Sequence, residues 1–178
     1  MKKIDSKIVI LGLGNILLSD EGIGIKVIYD LKNNYIFPKN VEIIDGGVGE
    51  FSLLPFIEKA EKLLVIDAVL GNNLPGTIYK FKDEDIPYQI IEKISLHEIN
   101  FCEILNLAKL RKKYPEEVVI IGIEPEKIET SLELSETLKA KYSEFFKAIL
   151  LQLEEWGIRP LPKKDHHHLE VPFFVEKP

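Results

Sequence analysis

The sequence predicts an α/β fold, a mostly parallel sheet flanked by helices, and two observations support this prediction. Segments rich in Val, Ile and Leu alternate along the chain with segments whose apolar residues recur at helical spacing. Most of the apolar runs are continuous, which is typical of parallel strands that are buried on both faces. Because strands and helices alternate, right-handed crossovers are expected between neighbouring strands.

Five segments of the chain have the composition of strands: 8–13, 41–45, 63–67, 77–81 and 118–123. The segment 77–81 differs from the others because its apolar and polar residues alternate. This alternation predicts an edge strand with one face in water. The segment 41–45 is predicted as a second short strand, and the continuous apolar runs of the other three segments predict buried strands of a mostly parallel sheet.

Four segments have the apolar spacing of helices: 22–33, 51–61, 99–113 and 135–156. Pro55 has to lie in the first turn of the second helix or kink it, and Ser135 is a suitable N-cap for the fourth. The predicted domain covers residues 1–158. The tail 159–178, which is rich in Pro and Lys and contains His166, His167 and His168, is expected to be mobile or loosely docked.

Composition restricts the function before any motif is considered. The chain has 178 residues, enough for one domain with a substantial core. Its formal net charge of −6 argues against nucleic acid as a partner. The single Cys excludes an internal disulfide, and no apolar run is long enough for a membrane span or signal peptide. We therefore expect a cytoplasmic protein that does not bind membranes.

The first strand is followed by a glycine turn and then by two acids, Asp20 and Glu21. A glycine turn at this place usually binds a phosphate at the N-terminus of the next helix. Two carboxylates would repel a phosphate, whereas they would attract a metal cation or a basic peptide. The turn also lacks the third glycine of the dinucleotide-binding fingerprint, so a nucleotide-binding domain is the weaker alternative.

Three acids follow three consecutive predicted strands: Glu21, Asp45 and Asp67. In folds of this class the site lies at the carboxyl ends of the strands. Structural roles are the alternatives: Glu21 could only stabilise a helix dipole, Asp20 could serve as an N-cap with Ser19, and Asp67 could cap a turn. Against this, Asp67 stands in an apolar segment, where an acid is costly unless it is paired or binds a metal.

His97 is the only histidine of the predicted domain, and it stands just before a predicted helix. Together with Glu21 and Asp67 it would supply two carboxylates and one imidazole, a set suited to Ni, Mn, Fe or Zn. Glu98 follows, but no second histidine comes four residues after His97, so the zincin motif is absent. Cys102 could form a nucleophilic pair with His97, although a small buried side chain is the more common role of such a cysteine.

These residues resemble the motifs of the hydrogenase maturation endopeptidases, from about residue 7 to about 157. The resemblance depends on six short segments that occur in the same order: 12–15 with 19–24, 45–47, 65–68, 75–77, 95–98 and 122–125. It implies a single-domain three-layer sandwich, a twisted five-stranded mostly parallel sheet with helices on both faces. It also implies that the three metal-contacting positions fall on Glu21, Asp67 and His97.

The resemblance implies a specific activity. Such an enzyme removes a short C-terminal extension from the precursor of a nickel–iron hydrogenase large subunit, after nickel insertion and just beyond the cysteine motif that holds the metal. The nickel then belongs to the substrate and is sensed by the two carboxylates and the histidine, although other divalent metals could occupy the site. Such an enzyme is expected to be a monomer.

Two mechanisms are compatible with these residues. Nickel could polarise the scissile carbonyl or activate water while Glu21, Asp67 and His97 hold it. Alternatively, Asp45 or Asp20 could act as general base while nickel serves only to position the substrate. A non-catalytic assembly chaperone, which would bind the precursor and leave it uncut, is the other alternative.

Overall fold

The computed structural model describes residues 7–48, 51–83, 85–86 and 96–163, with the backbone alone for residues 96–100. Its strands are β1 Ile8–Gly12, β2 Tyr35–Ile36, β3 Val41–Asp45, β4 Lys62–Ala68, β5 Ile78–Lys82, β6 Glu117–Ile123 and β7 Leu161–Pro162. Its α-helices are α1 Ile23–Asn34, α2 Leu54–Lys59, α3 Leu96–Leu110 and α4 Glu136–Glu155. Short 3₁₀ turns, Ser19–Gly22 and Phe51–Leu53, precede α1 and α2.

The main sheet has five strands in the order β3-β1-β4-β6-β5. All neighbouring pairs are parallel except β5 and β6, which are antiparallel. The predicted α/β architecture is therefore confirmed, and the alternating segment is an edge strand as predicted. Pro55 lies in the first turn of α2, and the Ser135 Oγ caps α4 by accepting a hydrogen bond from the Leu138 N–H at 3.2 Å.

Side chains on the two faces of the sheet form two separate cores. On one face, the even-numbered residues Leu64 and Ile66 of β4 join a cluster that includes apolar residues of α1 and α4. On the other face, the odd-numbered Leu63 and Val65 join a cluster with residues of α2 and α3. This alternation is the period of a strand. It places Asp67 on the face that α2 and α3 cover.

A small second sheet, which the sequence did not predict, joins the segment after α1 to the segment after α4. Strand β7 pairs antiparallel with β2, so that Leu161 lies opposite Ile36. Lys163 continues this connection, since its N–H donates to the Asn34 carbonyl at 2.9 Å. Residues 161–163, in the predicted tail, therefore contact the end of α1 and β2, while His166, His167 and His168 lie outside the described residues.

The crevice between β1 and β4 is the point where the chain connections diverge. From β1 the chain proceeds through α1 to β3 on one side, whereas from β4 it proceeds to β5 and β6 on the other. Crevices of this kind, at the carboxyl ends of the strands, are the usual ligand sites of open α/β sheets. Glu21 lies in the turn after β1 and Asp67 is the next-to-last residue of β4, so both acids border this crevice.

Candidate active site at the carboxyl edge of the sheet

Glu21 reaches the crevice because the loop after β1 turns tightly against it. Gly14 has a φ of +133°, and a Cβ at this position would lie 1.9 Å from the Glu21 carbonyl oxygen. Only glycine accepts both constraints. The Gly14 N–H also donates to the Gly47 carbonyl at 2.7 Å, which joins this loop to the end of β3. The side chain of Glu21 is 7% exposed.

Gly24 brings the start of α1 against the ends of β1 and β4. A Cβ on Gly24 would lie 2.3 Å from the carbonyl oxygens of both Leu13 and Ile66. Since any side chain would force the helix away from the sheet, glycine is what permits this close approach. The 3₁₀ turn that carries Glu21 is thereby held beside Asp67, the residue that follows Ile66.

Asp67 is 3% exposed, and its Oδ1 accepts a hydrogen bond from the Ala68 N–H at 2.8 Å. Burial raises the pKa of the Asp67 carboxyl to about 8; the Ala68 N–H opposes this rise, and the negative charge of Glu21 adds to it. Two carboxylates that share a dry crevice repel each other, and a bound cation relieves both the repulsion and the desolvation. The pair is therefore suited to a metal ion and unsuited to a phosphate.

The pKa of Asp67 predicts a pH-dependent stability effect. Because the pKa is higher in the folded state than in the unfolded chain, unfolding releases a proton between about pH 4 and pH 8. The free energy of unfolding contributed by this carboxyl therefore falls as the pH rises. Asp67→Asn keeps the acceptor for the Ala68 N–H and removes the titration, so its gain in melting temperature over the wild type should grow from pH 5 to pH 8.

Thermal unfolding of both proteins in the presence of a chelator measures this difference, with the wild-type pH profile as the baseline. Parallel profiles for the two proteins over this range would contradict the prediction. We expect Asp67→Asn to be more stable than the wild type but inactive, because functional sites often lose stability in exchange for activity.

His97 lies in the first turn of α3, but its side chain lies outside the described residues. The fold nevertheless places its backbone. The turn after α3 returns to the amino edge of the sheet, where the Glu116 N–H donates to the Glu61 carbonyl at 2.8 Å, next to the start of β4. The 15 residues of α3 span about 22 Å, about the length of β6, so the first turn of α3 lies level with the carboxyl edge.

Asp20 binds backbone and does not cap a helix, so the predicted N-cap role is wrong. Neither the 3₁₀ turn nor α1 has a side-chain cap. Instead, the fully buried Asp20 carboxylate accepts three backbone N–H bonds from the loop between β6 and α4: from Ser135 at 2.7 Å, and from Glu126 and Lys127 at 2.9 Å each. This arrangement fixes the loop against the site and favours a structural role for Asp20.

Asp45 ends β3 and is exposed. One carboxylate oxygen accepts from the Tyr29 hydroxyl at 3.1 Å, and the other from the Gly47 N–H at 3.0 Å. Proximity to this carboxylate raises the pKa of Tyr29, mainly through the hydrogen bond. Asp45 is thus a solvated acid at the same edge of the sheet, separated from Asp67 by β1.

Glu124 is a buried acid that the sequence reasoning did not single out. It follows β6, and its Oε2 accepts hydrogen bonds from the Gly71 N–H at 2.7 Å and from the Tyr79 hydroxyl. Burial and this hydrogen bond raise the pKa of Tyr79. The network ties the loop after Asp67 to the end of β6. Two sequence signals mark it: an acid directly after a buried strand, the signal that identified Asp67, and its place in the segment 122–125 of the family resemblance.

Cys102 is half-buried and packs against the core that α3 shares with the sheet. This position agrees with a small packing residue. Among the described side chains, which do not include that of His97, no three His, Cys, Asp or Glu residues form a group that could hold a metal ion.

Fold and site together define an α/β protein whose sheet carries a buried acidic pair at its topological switch point. A family model described as hydrogenase maturation protease matches residues 25–152. The hydrogenase 2 maturation protease of Escherichia coli is 33% identical over 162 residues, which cover 90% of this chain and 99% of that protein. The hydrogenase expression/formation protein HoxM of Cupriavidus necator is 35% identical, covering 88% and 78%.

Solved structures give the same result. The hydrogenase maturating endopeptidase HybD from E. coli superposes with a TM-score of 0.84 at 33% identity, covering 90% of this chain and 99% of that chain. The [NiFe] hydrogenase maturation protease HybD from Thermococcus kodakarensis has a TM-score of 0.67 at 28% identity, covering 80% and 96%. The chain belongs to the hydrogenase maturation protease family. Within the described residues, no helix is long and apolar enough to cross a membrane.

Proposed function

We propose that this protease removes a short C-terminal extension from the precursor of a nickel–iron hydrogenase large subunit, after nickel insertion. The cut falls just beyond the C-terminal cysteine motif that holds the metal. Relatives with 33% identity are named for hydrogenase maturation, which supports this class of substrate. The observation that carries the proposal is the buried pair of Glu21 and Asp67 at the crevice between β1 and β4.

In this proposal the precursor brings the nickel, and the protease recognises it with Glu21, Asp67 and His97. Two carboxylates and an imidazole form a mixed oxygen and nitrogen set that suits nickel, and the same set accepts other divalent ions. A nickel-free precursor brings no cation to this buried acidic pair, so it gains none of the attraction that a nickel-loaded precursor gains there. This difference in binding is how metal loading would control cleavage.

Two mechanisms are compatible with this proposal. Nickel supplies Lewis acidity, which polarises a carbonyl or lowers the pKa of water, and Glu21 and Asp67 orient the loaded precursor. Alternatively, a carboxylate of the protease removes the proton from the attacking water. Asp45 is the stronger candidate for that base, because its carboxylate is exposed, whereas the Asp20 carboxylate is occupied by three backbone N–H groups.

Replacing Asp45 with Asn distinguishes these roles. If nickel performs the activation, D45N should change the kcat for the nickel-loaded precursor by less than about threefold, since the amide oxygen still accepts from the Gly47 N–H and the amide N–H₂ can donate to the Tyr29 hydroxyl oxygen. If Asp45 is the general base, kcat should fall by at least about a hundredfold. Single-turnover cleavage followed by mass spectrometry measures this, and Tyr29→Phe controls for loss of the hydrogen bond alone.

We further propose that the enzyme acts as a monomer in the cytoplasm. Sedimentation velocity of the full chain measures the first point: a single species near 20.4 kDa is expected, and a stable dimer would contradict it. Fractionation of the source cells measures the second.

A further inference from the structure

Exposed apolar side chains concentrate at one edge of this protein. Twelve large hydrophobic residues are exposed among the described residues, and seven of them lie in the connections at the carboxyl edge of the sheet: Ile16, Leu17, Val48, Phe51, Leu74, Ile128 and Leu132. Single exposed apolar residues are normal on protein surfaces. Their concentration around the acidic crevice is not explained by the fold, because connecting loops are usually polar.

Three of these residues, Ile16, Leu17 and Leu132, lie on two adjoining loops, and we call them the carboxyl-edge patch. The loops that carry them are joined by main-chain bonds: the Ser131 N–H donates to the Leu17 carbonyl at 3.0 Å, and the Ser19 N–H to the Ser131 carbonyl at 2.8 Å. The Asp20 carboxylate binds the same second loop. The patch is therefore held in a fixed shape.

A solvent-open pocket of about 280 Å³ lies in this patch. Ile16 and Leu132 line it, and so do Ser19 and Gly22, which belong to the same 3₁₀ turn as Glu21. Since a water molecule occupies about 30 Å³, the pocket is large enough for an apolar side chain. Lys26 and Lys139 also line it, and both form ion pairs with carboxylates of the protein itself.

We propose that the precursor docks on the carboxyl-edge patch. The matching surface of the precursor would be apolar and would surround an exposed bound cation. Charge complementarity identifies this partner, because the patch adjoins the turn that carries Glu21, where a Cβ on Gly22 would lie 2.9 Å from the Ile16 Cα, and the acidic pair attracts a cation. A free metal ion would need no apolar surroundings, so the patch indicates that the cation arrives on an apolar protein. This inference depends on the proposed function for the identity of that protein.

The test compares two double variants of the full-length protein. Leu17→Ser with Leu132→Ser removes the patch, and these side chains are 57% and 77% exposed. Leu110→Ser with Leu161→Ser is the matched control, since these leucines are 81% and 64% exposed and lie at the opposite edge. Both variants should fold as the wild type does, because substitutions at exposed positions cost about 0.5 kcal/mol or less, and thermal unfolding checks this.

The substrate is the nickel-loaded hydrogenase large-subunit precursor encoded by the same organism. The patch variant should raise KM, and the Kd for the precursor, by about tenfold while kcat stays within about twofold. The control variant should match the wild type. A wild-type KM and Kd for the patch variant would overturn the inference, and so would a wild-type dimer that the patch variant dissociates, because the patch would then bind a second copy.

The two proposals fail in different ways. If the wild type binds the loaded precursor without cutting it, the proposed function fails, and the Kd of the patch variant still decides the docking surface. If the wild type cuts the precursor and the patch variant does so with unchanged KM and Kd, the docking inference alone fails. If the wild type neither binds nor cuts, both proposals fail.

Discussion

Alanine at Glu21, Asp67 or His97 is expected to lower cleavage of the nickel-loaded precursor by at least about a thousandfold. Each variant removes one of three groups that hold the substrate's nickel, and a correctly placed metal ion is worth several kcal/mol of transition-state stabilisation. Glu21→Ala and Asp67→Ala each remove one carboxyl group of the buried pair, so the group that remains attracts the cation less strongly than the pair does. Single-turnover cleavage measured by mass spectrometry gives the result.

Two further variants separate loss of charge from loss of packing. Glu21→Gln and Asp67→Asn preserve shape, and they should be nearly as inactive as the alanine variants if charge is what matters. Glu129→Ala, an exposed acid whose partner is Lys127 at 3.7 Å, should cleave at the wild-type rate. Wild-type turnover by a folded Glu21, Asp67 or His97 variant would remove that residue from the site.

Replacing Asp20 with alanine should destabilise the protein by about 3–5 kcal/mol, which corresponds to a fall in melting temperature of about 10 °C. The substitution leaves the N–H groups of Glu126, Lys127 and Ser135 without their acceptor in a buried setting. Each such group costs about 1–3 kcal/mol. Denaturant unfolding measures the loss, and Glu129→Ala in the same loop should cost less than about 1 kcal/mol.

Asp20→Asn tests whether Asp20 also takes part in the chemistry. The amide oxygen still accepts hydrogen bonds, but the amide N–H₂ faces a donor, so an intermediate loss of stability is expected. If Asp20 is only structural, the folded fraction of this variant should retain kcat within about fivefold. A fully folded protein with a hundredfold lower kcat would instead identify Asp20 as the general base. Wild-type stability of the alanine variant would contradict the structural account.

The sheet could be predicted from the sequence because its signals are local. Buried parallel strands appear as uninterrupted apolar runs, and the edge strand appears as alternation, so β1, β3, β4, β5 and β6 were all predicted, with ends that differ from the structure by at most one residue. Helix ends were less accurate: α3 begins and ends three residues earlier than predicted. The short strands β2 and β7 have two residues each, too few to produce any periodicity.

The acidic pair could be anticipated because parallel strands bring their carboxyl ends to one edge. The partners of Asp20 could not, since they lie more than 100 positions along the chain and depend on a loop conformation that no local pattern specifies. Glu124 was missed for a related reason. It accepts hydrogen bonds from Gly71, in the loop after β4, and from Tyr79, in β5, and only the tertiary fold brings these groups together.

The most direct test is to incubate this protein with the hydrogenase large-subunit precursor of the same organism, with and without inserted nickel, and to determine the masses of the products. The account predicts loss of a short C-terminal peptide from the nickel-loaded precursor alone, and no loss with the Asp67→Asn variant. Cleavage of both forms at equal rates would contradict nickel sensing by Glu21, Asp67 and His97. Stable binding without cleavage would contradict the proposed proteolysis.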